Sequence, residues 1–170
     1  MPRIHVCSLA RLHDTVTTNQ ASHIATLINA TTDVPRFSGV LPENHLFLGF
    51  NDIIAPQEGM TPPAAEHVER LIEFVTSWDR KQPLVIHCYA GVSRSTAGAF
   101  IALASLNPTR DEAELAQEIR RRSPSATPNI RLVRFADEIL GRNGRMVEAI
   151  EAIGRGRDTY EGDPFHIEVG

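Results

Sequence analysis

The sequence predicts an α/β domain with a mainly parallel central sheet flanked by helices. Three observations carry that prediction. Short apolar runs alternate with longer segments of helical period. Leu84–His87, bounded by Pro83, reads as a strand buried on both faces, as parallel strands are. Ser95–Leu106 (STAGAFIALASL) is apolar nearly all round, the pattern of a helix at the centre of a domain.

The elements follow in order. Ile4–Leu9 alternates weakly and predicts a first strand; His23–Asn29 is a β-prone run and predicts a second. Residues 31–44 hold two prolines and a glycine and read as a long loop. His45–Phe50 (HLFLGF) predicts the next strand, and residues 51–61 the next loop. Thr61 looks like an N-cap with Pro62 at the first helical position. The helix should run to Asp79, with Val68, Leu71, Ile72, Val75 and Trp78 on its apolar face. Thr109 and Glu112 have the spacing of a capping box opening a helix to Arg122. Residues 123–128 read as a turn, and Asn129–Leu140 and Gly144–Ile153 as two further helices. One domain is expected over residues 1–155. Residues 156–170, glycine-bearing and without helical period, are expected to be a loosely ordered tail.

Composition narrows the class. The chain has 170 residues, 42% hydrophobic and 22% charged, which suits one soluble domain with a core of its own. No apolar run approaches the ~18 residues of a membrane span, and the first ten residues lack the apolar stretch of a signal peptide. A net charge of −4 argues against a nucleic-acid partner. No membrane partner is expected either. Two unpaired cysteines, Cys7 and Cys88, suit a reducing cytoplasm. Lys81 is the only lysine among 17 basic residues, a bias suggesting a GC-rich bacterial genome. His13-Asp14 has no further matching ligands, so no metal site or cofactor is expected.

The chemistry is concentrated in His87-Cys88-Tyr89-Ala90-Gly91-Val92-Ser93-Arg94-Ser95, between a buried strand and a buried helix. Backbone N–H groups at a helix N-terminus lack intrahelical partners and, with the helix dipole, form an anion site. Gly91 lets the loop curl round the anion. Residues Tyr89, Ala90, Gly91, Val92 and Ser93 would bind phosphate through the backbone, and Arg94 through its planar fork. The same positive field favours a Cys88 thiolate, a nucleophile beneath the bound phosphoryl group. Ser95 is placed to donate a hydrogen bond to the sulfur.

This string resembles the H-C-x5-R-[ST] signature loop of the cysteine-dependent protein tyrosine phosphatase superfamily. Its form is similar to that of dual-specificity and small bacterial tyrosine phosphatase-like proteins. The resemblance implies a protein tyrosine phosphatase-like fold over residues 1 to about 142. It also implies a catalytic set of Cys88, Arg94 and Ser95, with His87 tuning the thiolate through hydrogen bonding.

The leaving oxygen needs a proton donor facing the cradle. The strands before and after the helix 61–79 should be parallel, with their carboxyl ends at one edge of the sheet. Asp52 then lies beside the signature loop and Asp79 at the opposite edge, while Asp33 in the earlier loop stays possible. The resemblance favours Asp52, although Phe50-Asn51-Asp52 departs from the superfamily's Trp-Pro-Asp form. The turn ending at Asn129 should return to the site, where the resemblance implies a polar side chain near the hydrolytic water. Arg36 and Phe37 are expected to border the pocket and contact substrate, and Cys7 is either a buried strand residue or a redox partner of Cys88.

The expected activity is phosphomonoester hydrolysis through a cysteinyl-phosphate. Phosphotyrosine, phosphoserine or phosphothreonine of a protein, or a small phosphomonoester, would be the substrate. The alternatives are an inositol phosphate or phosphoinositide phosphatase, a rhodanese-like sulfurtransferase and a non-catalytic phosphate-binding module.

Overall fold

The computed structural model describes all 170 residues. Strands β1 (Arg3–Cys7), β2 (His23–Ile28), β3 (His45–Gly49), β4 (Leu84–His87) and β5 (Phe165–Glu168) form one sheet, in the order β3-β2-β4-β1-β5. The β1–β4, β2–β4 and β2–β3 pairs are parallel; only β5 runs antiparallel, against β1. The carboxyl ends of β1 to β4 therefore share one edge.

Side-chain alternation divides the core in two. Leu84 and Ile86 face a large cluster built with helices α2 (Ala65–Ser77), α3 (Arg94–Leu106), α4 (Glu112–Arg122), α5 (Ile130–Ile139) and α6 (Arg145–Ile153). Val85 faces a small cluster with Leu12 and Val16 of α1 (Leu12–Asn19) and Val40 of the long loop. Helix α3 lies centrally, and residues 94–104 are all buried. Packing of that kind fixes the helix N-terminus, and with it the signature loop. None of the helices is long and apolar enough to cross a membrane.

Two local expectations are corrected. Thr61 does not cap α2, which begins at Ala65. Its N–H donates to Asn51 Oδ1 (2.9 Å) and its carbonyl accepts from the Asn51 N–H (2.7 Å), while Pro63 disfavours helical backbone at Pro62, the position that would open the helix. The Thr109–Glu112 capping box does not form: Asp111 is the N-cap and accepts from the Ala113 N–H. Glu112 turns inward instead, 2.8 Å from Arg142 Nη1, both side chains almost fully buried. Burial alone would raise the Glu112 pKa, but hydrogen bonds from Arg142 and Arg145 outweigh it and hold the carboxyl below the usual range.

The segment 156–170 also differs from the loose tail expected of it. Its end adds β5 to the sheet, pairing Arg3 with Glu168 and Val6 with Phe165. The four-residue strand satisfies backbone groups that the β1 edge would otherwise present to water. Helix α1 had no sequence expectation, because LHDTVTTN is rich in β-branched threonines and short of apolar period.

Candidate active site

The signature loop turns its carbonyls outward and its amides inward. The Cys88 carbonyl accepts from His87 Nδ1–H (3.1 Å), Tyr89 from the Leu9 N–H (3.1 Å), and Ala90 from the Gly162 N–H (2.8 Å). Val92 accepts from the Thr127 N–H (2.9 Å) and Ser93 from the Asn129 N–H (3.2 Å). The N–H groups of Tyr89, Ala90, Val92 and Ser93 donate to no protein acceptor, and that of Gly91 points at Cys88 Sγ, 3.2 Å away. A ring of unpaired amides at the start of a buried helix is an anion cradle. Gly91 has φ +72°, and a Cβ there would lie 2.9 Å from the Ser8 nitrogen, so both conformation and space demand glycine.

Cys88 lies at the base of this ring, 2% exposed, with Ser95 Oγ 3.1 Å from its sulfur. For a thiolate, the Ser95 hydroxyl and the Gly91 amide both become donors to sulfur, stabilising its charge. Arg94 is anchored through one nitrogen, Nη1, which donates to Asn29 Oδ1 (2.7 Å) and to the Phe50 carbonyl (2.9 Å). Its other donors remain for a ligand. Asn29 follows β2 and Phe50 follows β3, so the guanidinium is oriented by the ends of two neighbouring strands.

Asp52 lies past β3, as the topology requires. Its Oδ1 accepts from Ser93 Oγ (2.7 Å) and from Asn129 Nδ2 (2.8 Å), while Asn129 Oδ1 caps α5 through the Leu132 N–H (3.1 Å). Asp52, Cys88 and Arg94 line one cavity of about 520 Å³, together with Asn29, Thr32 and Thr159. Asn129 therefore contacts Asp52 directly, and the Asn51–Thr61 pairing closes the loop that carries it.

His87 is fully buried. Its Nε2 lies 2.7 Å from Thr26 Oγ1, which lies 2.9 Å from His45 Nε2. The Cys88 carbonyl can only accept, so Nδ1 carries the His87 proton and Nε2 accepts from the Thr26 hydroxyl. Thr26 in turn accepts from His45 Nε2–H. Burial pushes His5, His45 and His87 each down to about 4. The folded chain holds them neutral where the unfolded chain, with a histidine pKa near 6.5, takes up protons. Their contribution to stability is complete above pH 6.5 and is lost as pH falls from 6.5 toward 4. The urea midpoint is expected to be lower at pH 5 than at pH 7.5, with equal midpoints contradicting the neutral buried histidines.

The other candidates lie elsewhere. Asp33 is exposed and does not line the cavity, and Asp79 is exposed at the far edge, near His23 at the start of β2. Arg36 and Phe37 do not border the cavity as expected; they pack over α1, where Phe37 lies 6.0 Å from the His13 ring. Hydrophobic contact of the loop with α1 carries them away, and only Thr32 of that loop reaches the cavity. Cys7 and Cys88 are both free thiols. Cys7 is buried at the end of β1; burial pushes its thiol up to about 12, against the opposing hydrogen bond with Thr15. Asn29, Thr26, His45 and Thr159 were not anticipated. Asn29 could have been, since polar residues just past parallel strands gather at the ligand edge.

An amide-lined anion cradle closed over a cysteine, with an arginine and a carboxylate on its walls, at the carboxyl edge of a parallel sheet, defines a class. Residues 56–136, from the loop before α2 into α5, match the protein-tyrosine phosphatase family model. Human DUSP28 superposes with a TM-score of 0.61 at 17% identity, over 89% of this chain and 95% of that one. The human tyrosine phosphatase-like serine/threonine/tyrosine-interacting protein gives 0.64 at 16% identity, over 84% and 94%. PTPMT1, in a complex with PI(5)P, gives 0.60 at 17% identity, over 82% and 94%. No curated relative matches the sequence significantly. The fold is that of the protein tyrosine phosphatases, and residues 56–136 match the model of that family.

Proposed function

We propose that the protein is a cysteine-dependent phosphomonoesterase that hydrolyses phosphotyrosine in protein substrates. The observation that carries this reading is the convergence of Cys88 Sγ, the unpaired amides of the signature loop, Arg94 and Asp52 on one cavity. In the first step the Cys88 thiolate attacks phosphorus, the S–P bond forms and the ester P–O bond breaks. The leaving oxygen takes a proton from Asp52. Asp52 Oδ1 is occupied by two donors, so Oδ2 is the oxygen that carries this proton. In the second step Asp52 removes a proton from water, the new P–O bond forms and the S–P bond breaks. Ser95 then donates to the departing thiolate. Arg94 and the loop amides offset the charge on the equatorial oxygens throughout. Asn129 and Ser93 act by holding Asp52, and His87 by holding the Cys88 carbonyl outward.

Arg94 is the only cation lining the cavity, which supports a substrate with a single phosphate and disfavours inositol polyphosphates. The rhodanese-like alternative is weakened by the position of Asp52, since sulfur transfer needs no proton donor over the cradle.

Asp52→Asn tests the reading. Phosphotyrosine peptides have a poor leaving group, and their kcat/KM is expected to fall by roughly 10²–10⁴-fold. Aryl phosphates with acidic phenols should lose less, and the basic limb of the pH profile should flatten. Equal small losses across leaving groups, with the basic limb intact, reject Asp52 as the acid. Phosphoserine peptides cleaved as fast as phosphotyrosine peptides would extend the reading to dual specificity.

A further inference from the structure

The chain past α6 returns to the active site before it reaches β5. The Gly156 N–H donates to Thr127 Oγ1 (3.1 Å) and the Arg157 N–H to the Pro124 carbonyl (2.9 Å). The Gly162 N–H then donates to Ala90 of the signature loop, and the Glu161 carboxylate accepts from Ser8 Oγ (2.5 Å). A Cβ on Gly162 would lie 2.6 Å from the Gly91 oxygen, so this strap touches the signature loop with no room between them. Both its ends are tied, one to the turn 123–127 and the other to β1 through β5.

This strap supplies Thr159 to the phosphate cavity. Beside that cavity it encloses a second hollow of about 350 Å³, lined by Leu9, Ala10, Tyr89, Ala90, Tyr160 and Glu161. The two spaces share Tyr89 and Ala90 as a common wall. Tyr160 is fully exposed and Tyr89 is 64% exposed, so two aromatic side chains stand unpartnered at the mouth of a phosphate site. The hollow's one charged side chain, Glu161, is already engaged by Ser8, and no cation lines it. It suits an apolar group attached close to the phosphate and offers nothing to a second phosphate.

We propose that this hollow is a specificity subsite, formed between Tyr89 and Tyr160, for an apolar side chain flanking the phosphorylated residue of a protein substrate. The proposal rests on the phosphatase reading above. Tyr160 determines specificity there and takes no part in the chemistry. Because the strap is tied at both ends, its backbone is in place before substrate arrives, and only the exposed Tyr160 side chain has to be ordered on binding.

The test compares p-nitrophenyl phosphate with two phosphotyrosine peptides. The peptides differ only in carrying leucine or serine on either side of the phosphotyrosine. Wild-type protein is expected to favour the leucine peptide by about tenfold or more in kcat/KM, the usual worth of filling an apolar pocket. The preference should fall close to unity in Tyr160→Ala and be retained in Tyr160→Phe. A wild type without preference, or a Tyr160→Ala variant that keeps it, overturns the subsite while p-nitrophenyl phosphate turnover leaves the phosphatase reading standing. Faster hydrolysis of a singly phosphorylated inositol lipid in micelles than of either peptide also overturns it, by assigning the hollow to an acyl chain. Absence of p-nitrophenyl phosphate turnover overturns the phosphatase reading and the subsite with it.

Discussion

Cys88→Ser is expected to lose measurable turnover while still binding phosphate or vanadate. The change replaces one sulfur by one oxygen at a buried position, so the sheet and α3 should be undisturbed. The amides of Tyr89, Ala90, Val92 and Ser93 remain free, and Arg94 stays anchored to Asn29 and Phe50. The nucleophile, however, is gone. A serine hydroxyl is not ionised near neutral pH, and the site has no base placed to take its proton: His87 Nε2 is committed to Thr26 and its Nδ1–H to the Cys88 carbonyl. Losing both the anion and any route to it should cost more than a general acid, whose removal is worth roughly 10²–10⁴-fold. Isothermal titration with orthovanadate reads the intact cradle, and stopped assays with p-nitrophenyl phosphate read the turnover. Residual activity above a few per cent of wild type (about a thirtyfold loss, ~2 kcal/mol) would eliminate the covalent mechanism.

Arg94→Lys is expected to lower kcat/KM by about 10³-fold or more, although the charge is kept. The guanidinium spans two tasks at once: Nη1 is fastened to Asn29 and to the Phe50 carbonyl, and the remaining donors face the cavity. A lysine ammonium is a point donor and cannot hold both anchors while presenting a fork to two phosphate oxygens. Part of the loss is then lost preorganisation, and it should appear in kcat as well as KM, because charge spread over the equatorial oxygens is greatest in the transition state. A variant with near-normal kcat and KM would show that the cradle does not bind phosphate in this way. Asn29→Ala supplies an intermediate check: it frees one anchor, and a smaller loss in the same direction is expected.

The alternation of apolar runs with helical periods was enough to establish a parallel α/β core, because burial on both sheet faces leaves a compositional trace in each strand. Leu84–His87 and the all-apolar α3 are the clearest cases, and the signature string between them located the cradle. Local chemistry sufficed there: the fork, the glycine and the sulfur lie within seven positions, Cys88 to Arg94. Asp52 was reachable by one further step, since a parallel β-α-β unit brings the carboxyl ends of its strands to one edge.

Tertiary structure alone decided what those groups touch. Thr61 has every local mark of an N-cap, yet it pairs with Asn51 and closes the Asp52 loop. Arg36 and Phe37 were drawn onto α1 by hydrophobic contact, and α1 itself was illegible in a threonine-rich segment. Residues 156–170, which have no helical period, became the strap over the signature loop and the strand that closes the β1 edge. Short segments like these are stabilised by hydrogen bonds to backbone groups more than 70 positions away, as Gly162 is to Ala90. No periodicity records such a bond. Sequence by itself therefore determined the fold class and the position of the cradle, where the deciding interactions are local or repeat along an element. The orientation of Arg94, the grip on Asp52 and the wall made by Thr159 and Tyr160 came only from the closing of the chain upon itself.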